Sequence, residues 1–325
     1  MQHISMRTSG YSIGLLWFAA AVIAGEAPVL PPALAPVAHV QFPDLRESSG
    51  IVASRRHPGV FWSHNDSGDT ARLFAFRRDG GAVYPPDTAE YHGIDVAAAA
   101  NRDWEDITTD DAGQLYIGDI GNNGNARTDL AIYVVPEPDP ATVEHAAATR
   151  RIAYAYPDQP ELPAPAGQRN FDAESLFWAD GTLWILSKDY DDLKTRLYRF
   201  GALRSDGVNV PDKVGEFEAG GMVTGADASP DGTRLAFTGY RAEQIDGRQQ
   251  VVGFLWVFER APGGGFFEGR SWHRRFLAGQ VEAVAWDGDA LVLTNEPGDI
   301  FVVPLDSLER VAGTDSGAAA RQSTD

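Results

Sequence analysis

The chain has 325 residues, 43% of them apolar, with 34 Gly, 20 Pro, 8 Trp, no Cys and a formal net charge of −19. The missing cysteine excludes disulfides, thiol catalysis and thiolate metal sites. The acidic balance excludes charge-driven nucleic-acid binding, which needs Lys and Arg against phosphates, and leaves a cation, a neutral ligand or something basic as the partner.

Residues 1–27 carry a single Arg, Arg7, ahead of an apolar run over 13–25, and a Pro-rich stretch over 28–36 follows. This order reads as a secretory signal peptide cleaved near Ala24. The apolar run falls short of the ~20 residues that cross a bilayer, so no membrane span is expected after cleavage, and the destination is periplasmic or extracellular. The expected organisation is a leader over 1–24, a Pro-rich linker over 25–36, one folded domain over 37–311, and a disordered tail over 312–325 that lacks any apolar period.

Within the domain one pattern recurs: a small or acidic residue, an apolar strand, a tight turn, then a second apolar strand ending in a polar cluster. The first unit runs Ser49-Gly50-Ile51-Val52 and Val60-Phe61-Trp62-Ser63-His64-Asn65-Asp66, with a further strand at Arg72-Leu73-Phe74-Ala75-Phe76. The second opens at Glu105-Asp106-Ile107 and continues through Gln114 to Asp119, Ala131 to Val135 and Ile152 to Tyr156. The third opens at Glu174-Ser175-Leu176-Phe177 and continues through Thr182 to Lys188, then Arg196 to Phe200. The fourth has Gly225-Ala226-Asp227-Ala228, Arg234 to Tyr240, and Val252 to Phe258. The fifth has Glu282-Ala283-Val284-Ala285-Trp286, Ala290 to Glu296 and Ile300 to Val303. Positions 49, 105, 174, 225 and 282 are 56, 69, 51 and 57 residues apart. That spacing suits four-stranded blades. The expected fold is therefore all-β, a single β-propeller of five blades, or six if the long second interval hides another. A strand from Val37-Ala38-His39-Val40-Gln41-Phe42 would complete the fifth blade and close the ring.

Antiparallel pairing puts the openers (Ser49, Glu105, Glu174, Gly225, Glu282) at the same blade end as the closers (Asn65, Asp66, Asp119, Lys188, Tyr240, Arg241, Asn295, Glu296). In a propeller both sets meet around the mouth of the axis. Carboxylates gathered there repel one another and lose hydration, which raises a pKa or recruits a cation. Oxygen donors in a flexible shell suit Ca²⁺, and the lack of Cys with only His64 nearby argues against zinc. The alternative is that these acids pair with Lys188 and Arg241 as structural ion pairs. His64 is a candidate general base or phosphate partner, or else a hydrogen-bonded structural histidine. The loops Asp66-Ser67-Gly68-Asp69 and Asp119 to Asn125 are rich in oxygen donors without EF-hand spacing, and each alone reads as a turn before a calcium site. Trp62, Trp104, Phe177, Trp184, Trp256 and Trp286 lie inside strands and are expected to pack between blades.

In the strings Glu47-Ser48-Ser49-Gly50-Ile51, Trp62-Ser63-His64-Asn65-Asp66-Ser67-Gly68-Asp69, Asp103-Trp104-Glu105-Asp106-Ile107, Tyr116-Ile117-Gly118-Asp119-Ile120-Gly121-Asn122 and Asp172-Ala173-Glu174-Ser175-Leu176, the chain resembles bacterial secreted propeller proteins of mostly undefined activity. More remotely it is similar to the calcium-centred propeller hydrolases: phytase-like proteins, the gluconolactonase and regucalcin family, and the calcium-activated apyrases. The resemblance implies a metal held by Glu105, Glu174 and Glu282 with help from Asn65 and Asp119, and Glu296 joins this metal set as a closer at the same rim. The phosphate-binding and lactonase residue sets of those families have no complete match here, and Gly225 leaves one blade without an opening acid.

Two functions follow. One is a Ca²⁺-dependent hydrolase of a phosphoester or lactone, with catalytic candidates Glu105, Glu174 and His64, and with Lys188 and Arg241 holding an anionic group. The other is a non-catalytic propeller with a structural metal. The expected partners are a small anionic molecule, a glycan or an envelope protein.

Overall fold

The computed structural model describes residues 29–312, which fold as five mainly antiparallel sheets arranged as a β-propeller. The leader expected over 1–24 and all of the tail beyond residue 312 lie outside the described residues. Among the described residues there is no α-helix, only two single 3₁₀ turns. The first blade comprises Ser48–Ala53, Val60–Asn65, Arg72–Arg77 and Ile94–Ala97. The second comprises Trp104–Thr109, Gln114–Asp119, Ala131–Pro136 and Arg150–Tyr154, and the third Ala173–Ala179, Thr182–Ser187, Thr195–Arg199 and Asp212–Phe217. The fourth comprises Met222–Ala228, Arg234–Ile245, Arg248–Glu259 and Arg270–Phe276. The fifth comprises Val281–Asp287, Ala290–Asn295 and Asp299–Pro304, with Ala38–His39 antiparallel beside the last of these. Two hairpin turns use Asp-Gly with both residues left-handed, Asp180-Gly181 (φ 54° and 72°) and Asp246-Gly247 (φ 51° and 74°). Such turns match the right-handed twist of the strands they join.

The inner strand of each blade packs on that of the next, and the fifth packs on the first, so the sheets form a closed ring. The core is accordingly divided into five wedges, one between each pair of neighbouring blades. Trp62 and Trp104 fill the wedge between blades one and two, Phe177, Trp184 and Trp256 that between three and four, and Trp286 that between four and five. Outer edges are covered by neighbours: His145–Ala147 runs parallel to Ile94–Ala97, Val208–Asn209 parallel to Arg150–Tyr154, and Glu309–Arg310 antiparallel to Arg270–Phe276. Covering them removes ladder groups that would otherwise pair with other chains.

A single irregularity repeats in every blade. Each inner strand carries a β-bulge at the same place in its pairing with the second strand, leaving Ser49, Glu105, Glu174, Thr224 and Glu282 as the extra residues. A bulge re-aims the extra side chain. The fourth member of the set is therefore Thr224, one residue before the Gly225 expected from sequence. Gly225 is there because the axis is crowded, since a Cβ would lie 2.6 Å from the carbonyl oxygen of Glu282. Gly50 is constrained in the same way, its Cβ position lying 2.7 Å from the Cα of Asp106.

Candidate metal centre at the mouth of the axis

Below the bulges, the axis is filled by bonds between blades. Asp106 accepts N–H bonds from Ile107 (2.8 Å), Leu176 (2.8 Å) and Ala226 (3.4 Å), so one carboxylate ties blades two, three and four. Asp227 accepts from Trp286 N–H at 2.9 Å, and the Thr224 hydroxyl donates to the Val281 carbonyl at 2.7 Å, which ties four to five. The Ser49 hydroxyl donates to the Glu105 carbonyl at 2.8 Å, joining one to two. The mouth sits above this plug.

Three carboxylates converge there. Asp66, Asp103 and Glu105 each place an oxygen within 4.8 Å of the other two, with Glu105 buried and the aspartates half-buried. Gly121 makes room for them, because a Cβ at that position would stand 2.5 Å from Asp103 Oδ2 and would also collide with Glu105 Oε1. Beside them, Lys188 is ion-paired with Glu174, both side chains being largely buried. The fields of Glu282, Tyr190 and Tyr240 also reach this lysine.

The electrostatics carry the mark of crowding. Burial, then the charges of Glu174, Asp66 and Asp103, hold the Glu105 carboxyl well above its usual range despite Lys188. Burial followed by the Asp66 and Asp172 charges pushes Asp103 up to about 6. Glu282 is pushed up to about 7 by burial, against the pull of Lys188 and a Gln280 hydrogen bond, with Glu296 and Asp66 adding to the rise. Burial also raises Asp66 and Asp172. Lys188 moves the opposite way from a normally buried lysine: surrounding negative charge, from Glu174 above all, outweighs desolvation and holds its pKa well above the usual value.

The other expected site residues are placed differently. Asn65 has its amide committed: Oδ1 accepts from Arg46 N–H (2.8 Å) and Glu47 N–H (3.1 Å), and Nδ2 donates to the Asp44 carbonyl (2.8 Å). Asp119 accepts from Asp103 N–H at 3.1 Å and is bridged by Arg127 at 2.9 Å. Both stand where the second strand ends and hold loops there, and the Asp119 charge reaches Asp103. Arg241 lies outside the mouth, on a long hairpin, with Nε 3.2 Å from Glu243 and Nη1 donating to the Gly220 carbonyl. His64 is fully buried, its Nδ1 3.0 Å from the Asn65 carbonyl oxygen and its ring edge-on to Trp104, and burial pulls its pKa down to about 4. The enclosed imidazole is neutral, and its buried Nε2 has no hydrogen-bond partner among the described residues. Glu296 stays at the rim, where its charge reaches Glu282, Tyr240 and Glu47.

Sequence reasoning missed Asp103, Asp172 and Tyr190. The signal was present: Asp103-Trp104-Glu105 and Asp172-Ala173-Glu174 repeat Asp-x-Glu with the glutamate on the bulge. The loop over 119–125 proves to be an ordered turn. Asn122 Oδ1 accepts from Ala126 and Arg127 N–H, and Asn125, left-handed at φ 48°, accepts from Phe171 N–H.

No family model and no curated protein matches the sequence. Among solved structures the chain is similar to a gluconolactonase from Xanthomonas campestris (14% identity, 86% of this chain and 96% of that one, TM-score 0.40). It is also similar to a hydrazine synthase from Kuenenia stuttgartiensis (11%, 80% and 96%, 0.41) and to a luciferin-regenerating enzyme (13%, 86% and 99%, 0.40). These likenesses assign no residue role and no activity to this chain.

The donor set itself tests for a metal. Three carboxylates offering only oxygen suit a hard cation and lack the nitrogen and sulfur that zinc prefers. Burial raises all three, and neighbouring charges add to the rise at Asp103 and Glu105, an arrangement a cation would relieve. The group is thus able to hold a metal ion.

Proposed function

We propose that the mouth binds Ca²⁺ and supports hydrolysis of a small phosphoester or lactone, in a protein exported to the periplasm or beyond. The observation that carries this reading is the approach of Asp66, Asp103 and Glu105 to within 4.8 Å of one another. Ca²⁺ binds oxygen at about 2.3–2.6 Å, so oxygens across one ion stand up to about 5 Å apart. Asp66, Asp103 and Glu105 would hold the ion, which when bound polarises a substrate oxygen. Glu282, with its carboxyl near pH 7, is suited to take a proton from the attacking water. Lys188, held in place by Glu174, balances negative charge developing in the mouth. A cavity of about 480 Å³ opens beside Asp103, lined also by Arg102, Asn122, Asn123, Arg127 and Asp129, and gives a small substrate room next to this carboxylate.

A second reading, a non-catalytic binding propeller with a structural ion, is favoured by one fact: Lys188 is already neutralised by Glu174. Calorimetric titration of the metal-free protein with Ca²⁺, followed by aryl phosphate and lactone panels with and without chelator, separates the two. Chelator-sensitive turnover supports the hydrolase and Ca²⁺ binding without turnover supports the second reading. Absence of Ca²⁺ binding overturns both.

A further inference from the structure

Arg241, absent from the mouth, belongs to a second cavity of about 370 Å³ on the fourth blade, facing the connection from the third. Its strands are in register so that Arg241 lies opposite Val252, Phe254 opposite Arg275, and Trp256 opposite His273. Paired and alternate positions of neighbouring strands share one face of a sheet, so these side chains stand together. The floor is Val252, Phe254 and Trp256, and the His273 ring lies against Trp256 with centroids 4.2 Å apart and a 32° tilt.

The rim is polar and fixed. Glu243, whose side chain is 10% exposed, meets Arg241 Nε at 3.2 Å and Arg275 Nη2 at 2.5 Å. Arg241 Nη1 also donates to the Gly220 carbonyl at 3.0 Å. Glu218, the remaining charged group on the lining, pairs with Lys194 at 2.9 Å. Burial, helped by the Arg275 charge, pulls His273 down to about 4, so the imidazole is neutral at neutral pH. Every charged group of the lining thus already has an ion-pair partner, Glu243 serving both guanidiniums and Lys194 serving Glu218, beside an uncharged aromatic wall.

This combination selects a ligand. A small anion has to compete with Glu243 for the guanidiniums, and a purely apolar molecule leaves the rim donors and acceptors unused. A neutral ring rich in hydroxyls satisfies both halves, its C–H face against Trp256 and His273 and its hydroxyls among guanidinium donors and carboxylate acceptors. The volume is at the small end for ligand sites and matches about one or two sugar rings. We propose that this cavity is a binding site for a neutral mono- or disaccharide, independent of the cation centre at the axis.

Tryptophan fluorescence and calorimetric titration test it with glucose, galactose, N-acetylglucosamine, maltose and cellobiose, alongside gluconate and benzoate as charged controls. At least one neutral saccharide should bind with one-to-one stoichiometry, and Trp256→Phe and Arg275→Gln should each weaken it by about tenfold or more. Arg275→Lys is the gentler variant if Arg275→Gln fails to fold, and Glu105→Gln should leave saccharide affinity unchanged. The proposal falls if no neutral saccharide binds at any concentration up to its solubility, if only gluconate or benzoate binds, or if binding is indifferent to both Trp256→Phe and Arg275→Gln.

Discussion

Glu105 and Asp106 are consecutive, both are buried, and burial lifts both carboxyl groups well above their usual range. Their surroundings are nevertheless opposite. Asp106 sits in register with Gly118 and takes N–H bonds from three blades, which pull its pKa back down. Glu105 sits on the bulge, receives a 3.3 Å hydroxyl bond from Ser49, and otherwise faces the charges of Glu174, Asp66 and Asp103, which push it further up. One residue of offset turns a staple into a site. A buried acid satisfied by backbone belongs to the fold, whereas a buried acid surrounded by other acids is a candidate for holding a cation.

Several substitutions sharpen that contrast, the harshest first. Asp106→Ala strands the N–H groups of Ile107, Leu176 and Ala226 in the axis, and should cost roughly 4–6 kcal/mol in urea unfolding. Lys188→Met leaves Glu174 buried without its partner. A loss of roughly 3 kcal/mol is expected at pH 8 and a smaller one at pH 5, because burial favours the protonated form of Glu174, as thermal melts at the two pH values would show. Asn65→Ala frees the Arg46 and Glu47 N–H groups and should cost about 1–2 kcal/mol while leaving Ca²⁺ affinity unchanged by calorimetry, since its amide holds a loop. A separate effect is that of pH on the metal-free protein. Glu282 rises from 4.5 to about 7 and Asp103 from 3.8 to about 6 on folding. The folded state therefore holds these protons more tightly, and the stability they contribute is present below about pH 4 and lost as pH climbs towards 7. Urea midpoints should fall over that window and recover when Ca²⁺ is added.

The propeller was legible because its signals are local: each inner and second strand is an apolar run broken by a tight turn, and five such pairs recur. Two outer strands were not. Asp212–Phe217 is largely exposed and reads Asp-Lys-Val-Gly-Glu-Phe, and Ile94–Ala97 is only four residues long, so neither forms an apolar run that sequence could reveal. At the site, Glu105, Glu174, Glu282 and Lys188 were legible because strand ends must meet at the axis. Arg241 was misplaced because nothing in the sequence shows that its strand continues to Ile245, carrying the side chain out along a hairpin. Asn65 and Asp119 share the right blade end but turn towards backbone, a choice set by loop geometry.

The claim that Asp66, Asp103 and Glu105 form a cation site is tested most directly by the Ca²⁺-induced shift in unfolding free energy of the natural chain and of Glu105→Gln at pH 8. The natural chain should gain about 2.7 kcal/mol at a hundredfold excess over the dissociation constant. The variant should gain nothing at the same concentration, and without metal it should be at least as stable as the natural chain, because one of the crowded charges is gone. An equal Ca²⁺ shift in both proteins, or none in the natural chain, would contradict the account.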